Sequence, residues 1–236
     1  MKKKSKILIL LSIQIMMSFI LSNCCKKESE SDPVNVIDVK GNTYNVIRIG
    51  KQLWMKENLK TTKYNDGTFI PNVTDSVTWA GLSTGALCWY NNDAATYKAT
   101  YGALYNWYTV NTGKLYPAGW HVPSDAEWKT LEDYLGGYSV AGGILKEAGT
   151  AHWLTPNTGA TNQYGFTALP GGSRSDDGSY AGLFYSITSL GFWWSSTEVQ
   201  TIYAAVRIMS NSNTSTSAQT AYNKPYGFSV RCLRDN

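Results

Sequence analysis

The nine residues Trp120–Trp128, with the sequence WHVPSDAEW, constrain the fold of this chain more tightly than any other stretch. Ser124 and Glu127 have the spacing of a capping box, in which the serine hydroxyl accepts a first-turn N–H and the glutamate carboxylate accepts the serine N–H. Apolar residues then recur at helical spacing at Trp128, Leu131, Tyr134 and Leu135. The pattern predicts a short amphipathic helix over about 125–135, ended by left-handed backbone at 136–137.

The rest of the sequence is rich in aromatic and turn-forming residues. All nine Trp and all sixteen Tyr lie after residue 40, together with the glycines. Such a composition is typical of short strands and long ordered loops, with aromatic side chains filling the space between regular elements. No internal repeat is visible, which argues against solenoids and propellers. The sequence therefore predicts a single domain over residues 34–236.

Alternating apolar residues predict several short strands and two further helices. A hairpin is expected where residues 34–39 and 43–49 flank a Lys-Gly-Asn turn, and another strand is expected at 52–59. Short helices are expected at 101–108 and 141–148. Three segments near the C-terminus are expected to form an antiparallel meander: residues 192–195, 203–209 and 227–233.

The N-terminus has the pattern of an export signal. Lysines precede an apolar run that ends at Leu21-Ser22-Asn23-Cys24, which resembles the lipobox of bacterial lipoproteins. The resemblance implies a signal peptide at 1–23, lipidation of Cys24 and, after it, a flexible polar tether at 24–33. The apolar run is short for a transmembrane helix, which needs about 20 residues, and an uncleaved signal anchor is the alternative.

Charge distribution indicates where the protein acts. The four signal lysines account for the whole net charge of +4, because the 21 basic residues include them and the acidic residues number 17. A neutral mature chain has no basic surface for nucleic acid. The acidic stretch after Cys24 resembles the surface-export signal of Bacteroidetes lipoproteins. We therefore expect an outer-membrane lipoprotein at the cell surface, with the membrane as a partner through the lipid.

Five motifs, four of which contain tryptophan, cover the chain from about residue 40 to its end. They are Gln52–Leu59, Tyr101–Trp107, Gly119–Ser124, Trp193–Glu198 and Gly227–Cys232. Together and in this order, they resemble the Fibrobacter succinogenes major paralogous domain family. That family is common in lipoproteins and secreted proteins of Bacteroidetes and Fibrobacteres, and the resemblance implies no particular biochemical activity.

A more distant resemblance bears on the architecture. A Pro-Ser-x-x-Glu-Trp helix start at 123–128, followed downstream by Gly-Phe-x-Val-Arg at 227–231, is similar to the formylglycine-generating and sulfatase-modifying proteins. The resemblance implies an α+β, C-type lectin-like fold with short antiparallel strands, two or three short helices and long ordered loops. It also implies that both ends of the domain meet in one small sheet and that the long loops carry the binding surface.

Two cysteines, Cys88 and Cys232, lie in the body of the domain. The formylglycine-generating proteins use a cysteine pair in their active site, but no second cysteine accompanies Cys232 here. A disulfide between Cys88 and Cys232, which an envelope compartment would permit, is one interpretation. Two buried free thiols are the other, and the sequence leaves both open.

No catalytic or metal-binding constellation is recognisable in the sequence. His121 and His152 are the two histidines, and no cluster of His and Cys with zinc-ligand spacing surrounds them. We expect His121 to be a structural residue at a strand-to-helix corner and His152 to lie in a loop. Asp176-Asp177-Gly178 is expected to form an ordinary turn, with a calcium site as the alternative. The sequence thus predicts no metal and no cofactor.

The segment Ser210–Asn223 has the composition of a recognition loop, because tyrosine supplies contact area while serine and asparagine supply adaptable hydrogen bonds. Some lectin-like proteins of the group that this chain resembles are diversified at this position by retroelements. A solvated hairpin and a core tryptophan are the alternative interpretations. The predicted ligand-binding residues are Asn211, Asn213, Tyr222 and Asn223, with Trp193 as an exposed stacking residue.

These features favour a non-enzymatic, surface-tethered binding module for a glycan or protein ligand. The alternatives are an enzyme of the sulfatase-modifying type and a structural envelope protein. A polar pocket around Cys88 would favour the enzyme, whereas glycan binding that changes when residues 210–223 are replaced would favour the binding module.

Overall fold

The computed structural model describes residues 32, 34–217 and 220–235. The expected signal peptide (1–23) and Cys24, with nearly all of the tether (24–33), lie outside the described residues, and the statements about them stay predictions. In the part of the chain that is described, no helix has the length and apolarity needed to cross a membrane.

Short elements make up the described domain. Its five α-helices are α1 (Ser76–Ala80), α2 (Ala94–Tyr101), α3 (Trp107–Val110), α4 (Asp125–Tyr134) and α5 (Tyr138–Leu145). Its strands are β1 (Asn35–Ile37), β2 (Thr43–Ile49), β3 (Gln52–Met55), β4 (Leu87–Cys88), β5 (Leu104–Tyr105), β6 (Trp120–His121), β7 (Ser173–Arg174), β8 (Phe184–Tyr185), β9 (Leu190–Gln200), β10 (Tyr203–Ser210), β11 (Thr220–Asn223) and β12 (Leu233–Arg234). The prediction of two or three helices is too low, because α1 and α3 add about one turn each.

The helix predicted from the WHVPSDAEW stretch is confirmed as α4. The Ser124 N–H donates to Glu127 Oε2 over 2.8 Å, and the Glu127 N–H donates to Ser124 Oγ over 3.3 Å. These two bonds are the predicted capping box. Gly136 and Gly137 follow with φ of +98° and +103°, so the helix ends in left-handed backbone. Helices α1, α2 and α3 likewise begin after an Asp or Asn whose side chain accepts a first-turn N–H.

The first and last strands of the domain share one antiparallel sheet, in the order β1-β2-β3-β12-β6. The predicted hairpin is confirmed as β1–β2, with Gly41 at φ +81° in its turn. Leu233 of β12 pairs with Trp54 of β3 on one side and with His121 of β6 on the other. The expectation that both ends of the domain meet in one small sheet is therefore confirmed.

A second antiparallel sheet has the order β11-β10-β9. Strands β9 and β10 confirm two members of the predicted meander, but the third is β11, which lies inside the segment expected to be a loop. The strand predicted at 227–233 is wrong. Residues 227–232 are all buried and make single bridges from Phe228 to Tyr105 and from Ser229 to Trp193. Gly227 also bridges to Arg174, so the segment contacts three different strands in turn and forms no regular ladder with any of them.

The helix predicted at 101–108 is also wrong. Helix α2 ends at Tyr101, and Gly102 follows with φ +77°, where a Cβ would lie 2.6 Å from the Leu59 carbonyl oxygen. Strand β5 then pairs with β4, so long-range strand pairing overrides the local helical pattern. The helix predicted at 141–148 is present as α5 but begins at Tyr138.

Aromatic side chains fill the interior, as the composition predicts. The tryptophans less than 2% exposed are Trp54, Trp79, Trp107, Trp128, Trp153, Trp193 and Trp194. Three arginines are buried among the aromatic rings, and each is held by several hydrogen bonds. Arg207 of β10 donates to Glu132 of α4 over 2.8 Å, which ties the second sheet to that helix. Arg231 packs over Phe166 at 4.2 Å, and burial lowers the pKa of Arg231 to about 9.

Candidate ligand-binding site

A pocket of about 460 Å³ lies where the second sheet meets the β7–β8 hairpin. Its volume falls in the range of small-molecule sites, about 300–1,000 Å³. Four of its lining residues are Ser or Asp, and six are aromatic. The aromatic residues are Tyr180, Tyr185, Phe192, Tyr222, Tyr226 and Phe228. We call this cavity the aromatic pocket.

Three rings form a column along one wall of the aromatic pocket. Phe192 and Phe228 stack with centroids 4.9 Å apart and planes 9° apart, and Tyr226 stacks on Phe228 at 5.3 Å and 22°. Tyr222 of β11 meets all three rings edge-on, at 5.1–6.1 Å. Each such pair adds about 0.5–1.5 kcal/mol beyond area burial, so this wall is preorganised.

A second and more polar wall of the pocket comes from the β7–β8 hairpin. Ser173 and Ser175 line the pocket, whereas the Arg174 side chain points away from it, as strand alternation requires. Ser175 Oγ lies 3.3 Å from the Tyr226 hydroxyl and accepts the Asp177 N–H over 3.0 Å. Ser175 therefore links the polar wall to the ring column.

Arg174 anchors this hairpin on the side that faces away from the pocket. Its guanidinium is fully buried between the rings of Trp79 and Phe184, 4.6 Å and 4.8 Å from their centroids. It donates to the backbone carbonyl oxygens of Gly182, Val73 and Thr74 over 2.6–2.9 Å. One side chain thus joins the hairpin to the segment before α1, which positions the polar wall.

Two adjacent carboxylates stand at the edge of the aromatic pocket. Asp177 lines the pocket and is exposed, and Asp176 beside it is half-buried. The Asn223 amide of β11 lies 3.5 Å from Asp176 Oδ1. Burial raises the pKa of Asp176, the charge of Asp177 adds to the rise, and the Asn223 amide opposes it. The predicted turn residues and two predicted binding residues, Tyr222 and Asn223, therefore converge at one site.

The other two predicted binding residues in the loop lie apart from the aromatic pocket. Asn211 donates to the Thr155 carbonyl over 3.1 Å, and Asn213 Oδ1 accepts the Ser215 N–H over 3.0 Å. Buried Lys146, at the end of α5, donates to the Ser210 and Asn213 carbonyls over 2.7 and 2.8 Å. The first half of the predicted recognition loop is therefore fastened to α5 and forms no part of the pocket lining.

Trp193 is not the exposed stacking residue that we expected. Its side chain is 0% exposed, and its indole N–H donates to Asn58 Oδ1 over 2.8 Å. Strand β9 is buried on both faces at this point, because neighbouring Phe192 and Trp194 are buried as well. The core interpretation of Trp193 is the correct one, and Phe192 is the ring of this strand that reaches the pocket.

Cys88 and Cys232 are both free and fully buried. They belong to different core clusters, Cys88 with Trp79 and Leu104, and Cys232 with the larger cluster around Tyr105. Of the two interpretations left open by the sequence, the structure has the free thiols, not the disulfide. Burial raises the pKa of Cys88 to about 12 and also raises that of Cys232, so neither is a thiolate at neutral pH.

His121 lies between two carboxylates that the sequence analysis did not pair with it. Its Nε2 is 2.8 Å from Glu127 Oε1, and its Nδ1 is 2.6 Å from Asp235 Oδ1. Burial by itself would raise the pKa of Glu127, but hydrogen bonds with Ser124 and His121 outweigh burial, and the pKa of Glu127 is lowered. These contacts join β6, α4 and the residue after β12. In the described residues, no three His, Cys, Asp or Glu side chains are grouped to hold a metal ion.

Sequence reasoning missed most of the aromatic pocket. Phe192 and Phe228 look like ordinary core residues in apolar segments, and Tyr180 and Tyr185 stand on either side of a short apolar stretch. The available signal was the recurrence of tyrosine beside serine, aspartate and asparagine in two separate segments, 173–185 and 222–226. Only the fold brings these two segments together.

The fold and the pocket together define an α+β domain of short antiparallel sheets with an aromatic-lined cavity. The model of the Fibrobacter succinogenes major domain family matches residues 47–234 of the chain. The chain therefore belongs to that family, as its five motifs predicted. Comparison with curated proteins gave no match, and comparison with solved structures gave none either.

Proposed function

We propose that this protein is a surface-tethered lipoprotein binding module that recognises a glycan or protein ligand in the aromatic pocket. The observation that carries the proposal is a cavity of about 460 Å³ whose lining combines serine and aspartate with partly exposed tyrosines, packed on the buried rings of Phe192 and Phe228. Aromatic faces pack against the apolar face of a ring, and hydroxyls and carboxylates orient its polar groups. A cavity of this size admits a sugar unit, or one large side chain of a protein ligand.

Cysteine chemistry does not favour the enzyme alternative. An enzyme of the sulfatase-modifying type would need reactive thiols, whereas Cys88 and Cys232 are 0% exposed and burial raises the pKa of both. Cys88 lies against apolar Trp79, Ala86 and Leu104. The structural-protein alternative predicts no ligand, so a binding measurement separates it from our proposal.

The C-type lectin-like fold is part of the same proposal. Its support is the sheet that joins β1–β3 with β12, together with long segments between β6 and β9 that surround the pocket. The lipid anchor and the cell-surface location rest on the lipobox-like residues 21–24 and the polar stretch after them. A tethered domain with a small pocket suits capture of a ligand outside the cell.

A glycan-array experiment with matched tyrosine variants tests the proposal. Tyr180 lines the pocket and is 61% exposed, whereas Tyr138 of α5 is 57% exposed and does not line it. Loss of one aromatic contact of about 0.5–1.5 kcal/mol weakens binding by up to about tenfold. We expect this loss for Tyr180→Ala and unchanged binding for Tyr138→Ala.

Two results would count against the binding module. One is equal binding by both tyrosine variants, which would exclude the aromatic pocket as the site. The other is no binding by the wild type across broad glycan arrays and cell-surface protein preparations, which would favour a structural role.

A further inference from the structure

We propose that the group held in the aromatic pocket is an organic cation, an ammonium carried on a small apolar or sugar-like body. This inference rests on the proposed function, because it concerns the same site, and it names the chemistry of the ligand.

The lining of the aromatic pocket carries charge of one sign. Asp177 is its charged residue, and the other lining residues are serines, tyrosines, phenylalanines and a leucine. Asp176 adds a second carboxylate immediately beside it. The charges of both aspartates also raise the pKa of the Tyr226 hydroxyl, in addition to the effect of burial, so their field reaches the ring column. An anionic ligand would meet these carboxylates with no lining cation to oppose them.

The cation of the β7–β8 hairpin faces away from the aromatic pocket. Arg174 lies between Trp79 and Phe184 and donates to three backbone carbonyl oxygens. Lys224, just after β11, is held by Glu198 over 2.7 Å and lies over the Trp107 ring. Both side chains are committed to other partners, so the pocket keeps a negative charge that a bound cation complements.

The rings supply the second component of a cation site. Aromatic faces carry negative potential, and a cation within about 6 Å of a ring centroid gains about 0.5–2 kcal/mol. Tyr180 and Tyr185 meet at 5.6 Å and 88°, and both line the pocket together with Tyr226 and Asp177. These three tyrosines are at least partly exposed, so their rings can contact an ammonium group and its alkyl substituents beside the carboxylate.

Calorimetric titration with paired probes tests the inference. Choline and 3,3-dimethylbutan-1-ol have nearly the same shape, but only choline is charged. D-glucosamine and D-glucose form a second pair, in which the charged member is a sugar. At about pH 6, we expect each ammonium compound to bind about tenfold more tightly than its neutral partner. The stronger-binding pair identifies the source of the ammonium group, a quaternary amine or an amino sugar.

Matched carboxylate variants locate the effect. We expect Asp177→Asn to remove most of the preference for the charged probe, and Asp133→Asn, which changes an exposed carboxylate on α4, to leave it intact. Equal binding of charged and neutral probes would overturn the inference while leaving ligand binding by the pocket in place. A preference for acetate over all four probes would overturn it as well. No binding of any probe would overturn the inference, and the glycan arrays would then decide the proposed function separately.

Discussion

Individual buried cations hold the loops of this domain. Lys146 is 0% exposed and donates to the carbonyl oxygens of Thr158, Ser210 and Asn213 over 2.7–3.0 Å. Arg174 does the same for the segments before α1 and after β7. A long cationic side chain can reach several carbonyls at once, so one residue satisfies loop backbone that has no strand or helix partner.

The stability of the protein should respond to pH through Lys146. Burial lowers the pKa of Lys146 from 10.5 to about 8. Between these two values the unfolded state binds more protons than the folded state, so the free energy of unfolding gains a contribution as pH rises. We expect the difference in unfolding free energy between the wild type and Lys146→Met to grow from about pH 8 to 10.5.

Urea unfolding at several pH values measures this difference. Lys129→Met, which removes an exposed lysine from α4, is the control and should show no such trend. A difference between the wild type and Lys146→Met that is flat from about pH 7 to 10.5 would contradict the lowered pKa of Lys146 in the folded protein.

At the level of elements, the loop that contains Thr214 and Ser215 packs directly against helix α5 at two glycines of the helix. A Cβ at Gly142 would lie 2.3 Å from the Ser215 carbonyl oxygen, and the Gly143 N–H donates to the Thr214 carbonyl over 2.9 Å. Replacing glycine by alanine in a helix usually stabilises it by about 0.5–1 kcal/mol. Here the close approach of the loop reverses that preference.

We expect Gly142→Ala to lower the free energy of unfolding by about 1–3 kcal/mol, because the loop backbone must move away from the new methyl group. Gly81→Ala is the control, since its nearest neighbouring atom is 3.7 Å from the ideal Cβ and its φ is −88°. Chemical denaturation measures both variants. A Gly142→Ala protein as stable as the wild type would show that the loop is loosely packed on α5.

Local sequence signals predicted some elements and missed others for a physical reason. The capping box at Ser124 and the β1–β2 hairpin depend on residues close in sequence, and both were predicted. Strand β11 depends on pairing with β10, and the Ser- and Thr-rich residues that precede it have the composition of a loop. The aromatic pocket is built from segments that are distant in sequence, so the predicted binding residues include one lining residue, Tyr222, but neither Phe192 nor Phe228.

The whole molecule combines a neutral domain with an N-terminus that resembles a lipidation signal. The match to the Fibrobacter succinogenes major domain family covers residues 47–234, so the expected signal peptide and tether lie outside it. The proposed attachment and the proposed recognition therefore concern separate parts of the chain, and each can be tested without disturbing the other.

Two adjacent cysteines give the anchor a matched pair of variants. We expect palmitate labelling in cells to be lost in Cys24→Ala and kept in Cys25→Ala, because the lipobox-like residues 21–23 place Cys24 at the modified position. Mass spectrometry of the N-terminal peptide checks the assignment. Labelling that survives in Cys24→Ala and disappears in Cys25→Ala would assign the lipid to Cys25. Absence of labelling in the wild type and in both variants would contradict lipidation.

The position of β12 has a consequence for the order in which the first sheet forms. Leu233 pairs with Trp54 and with His121, so β3 and β6 share a neighbour that is distant from both of them in sequence. Bringing such distant segments together costs loop-closure entropy before the new contacts can compensate for it. We therefore expect the β1–β2 hairpin to form early in folding and the closure of the sheet by β12 to be a late step.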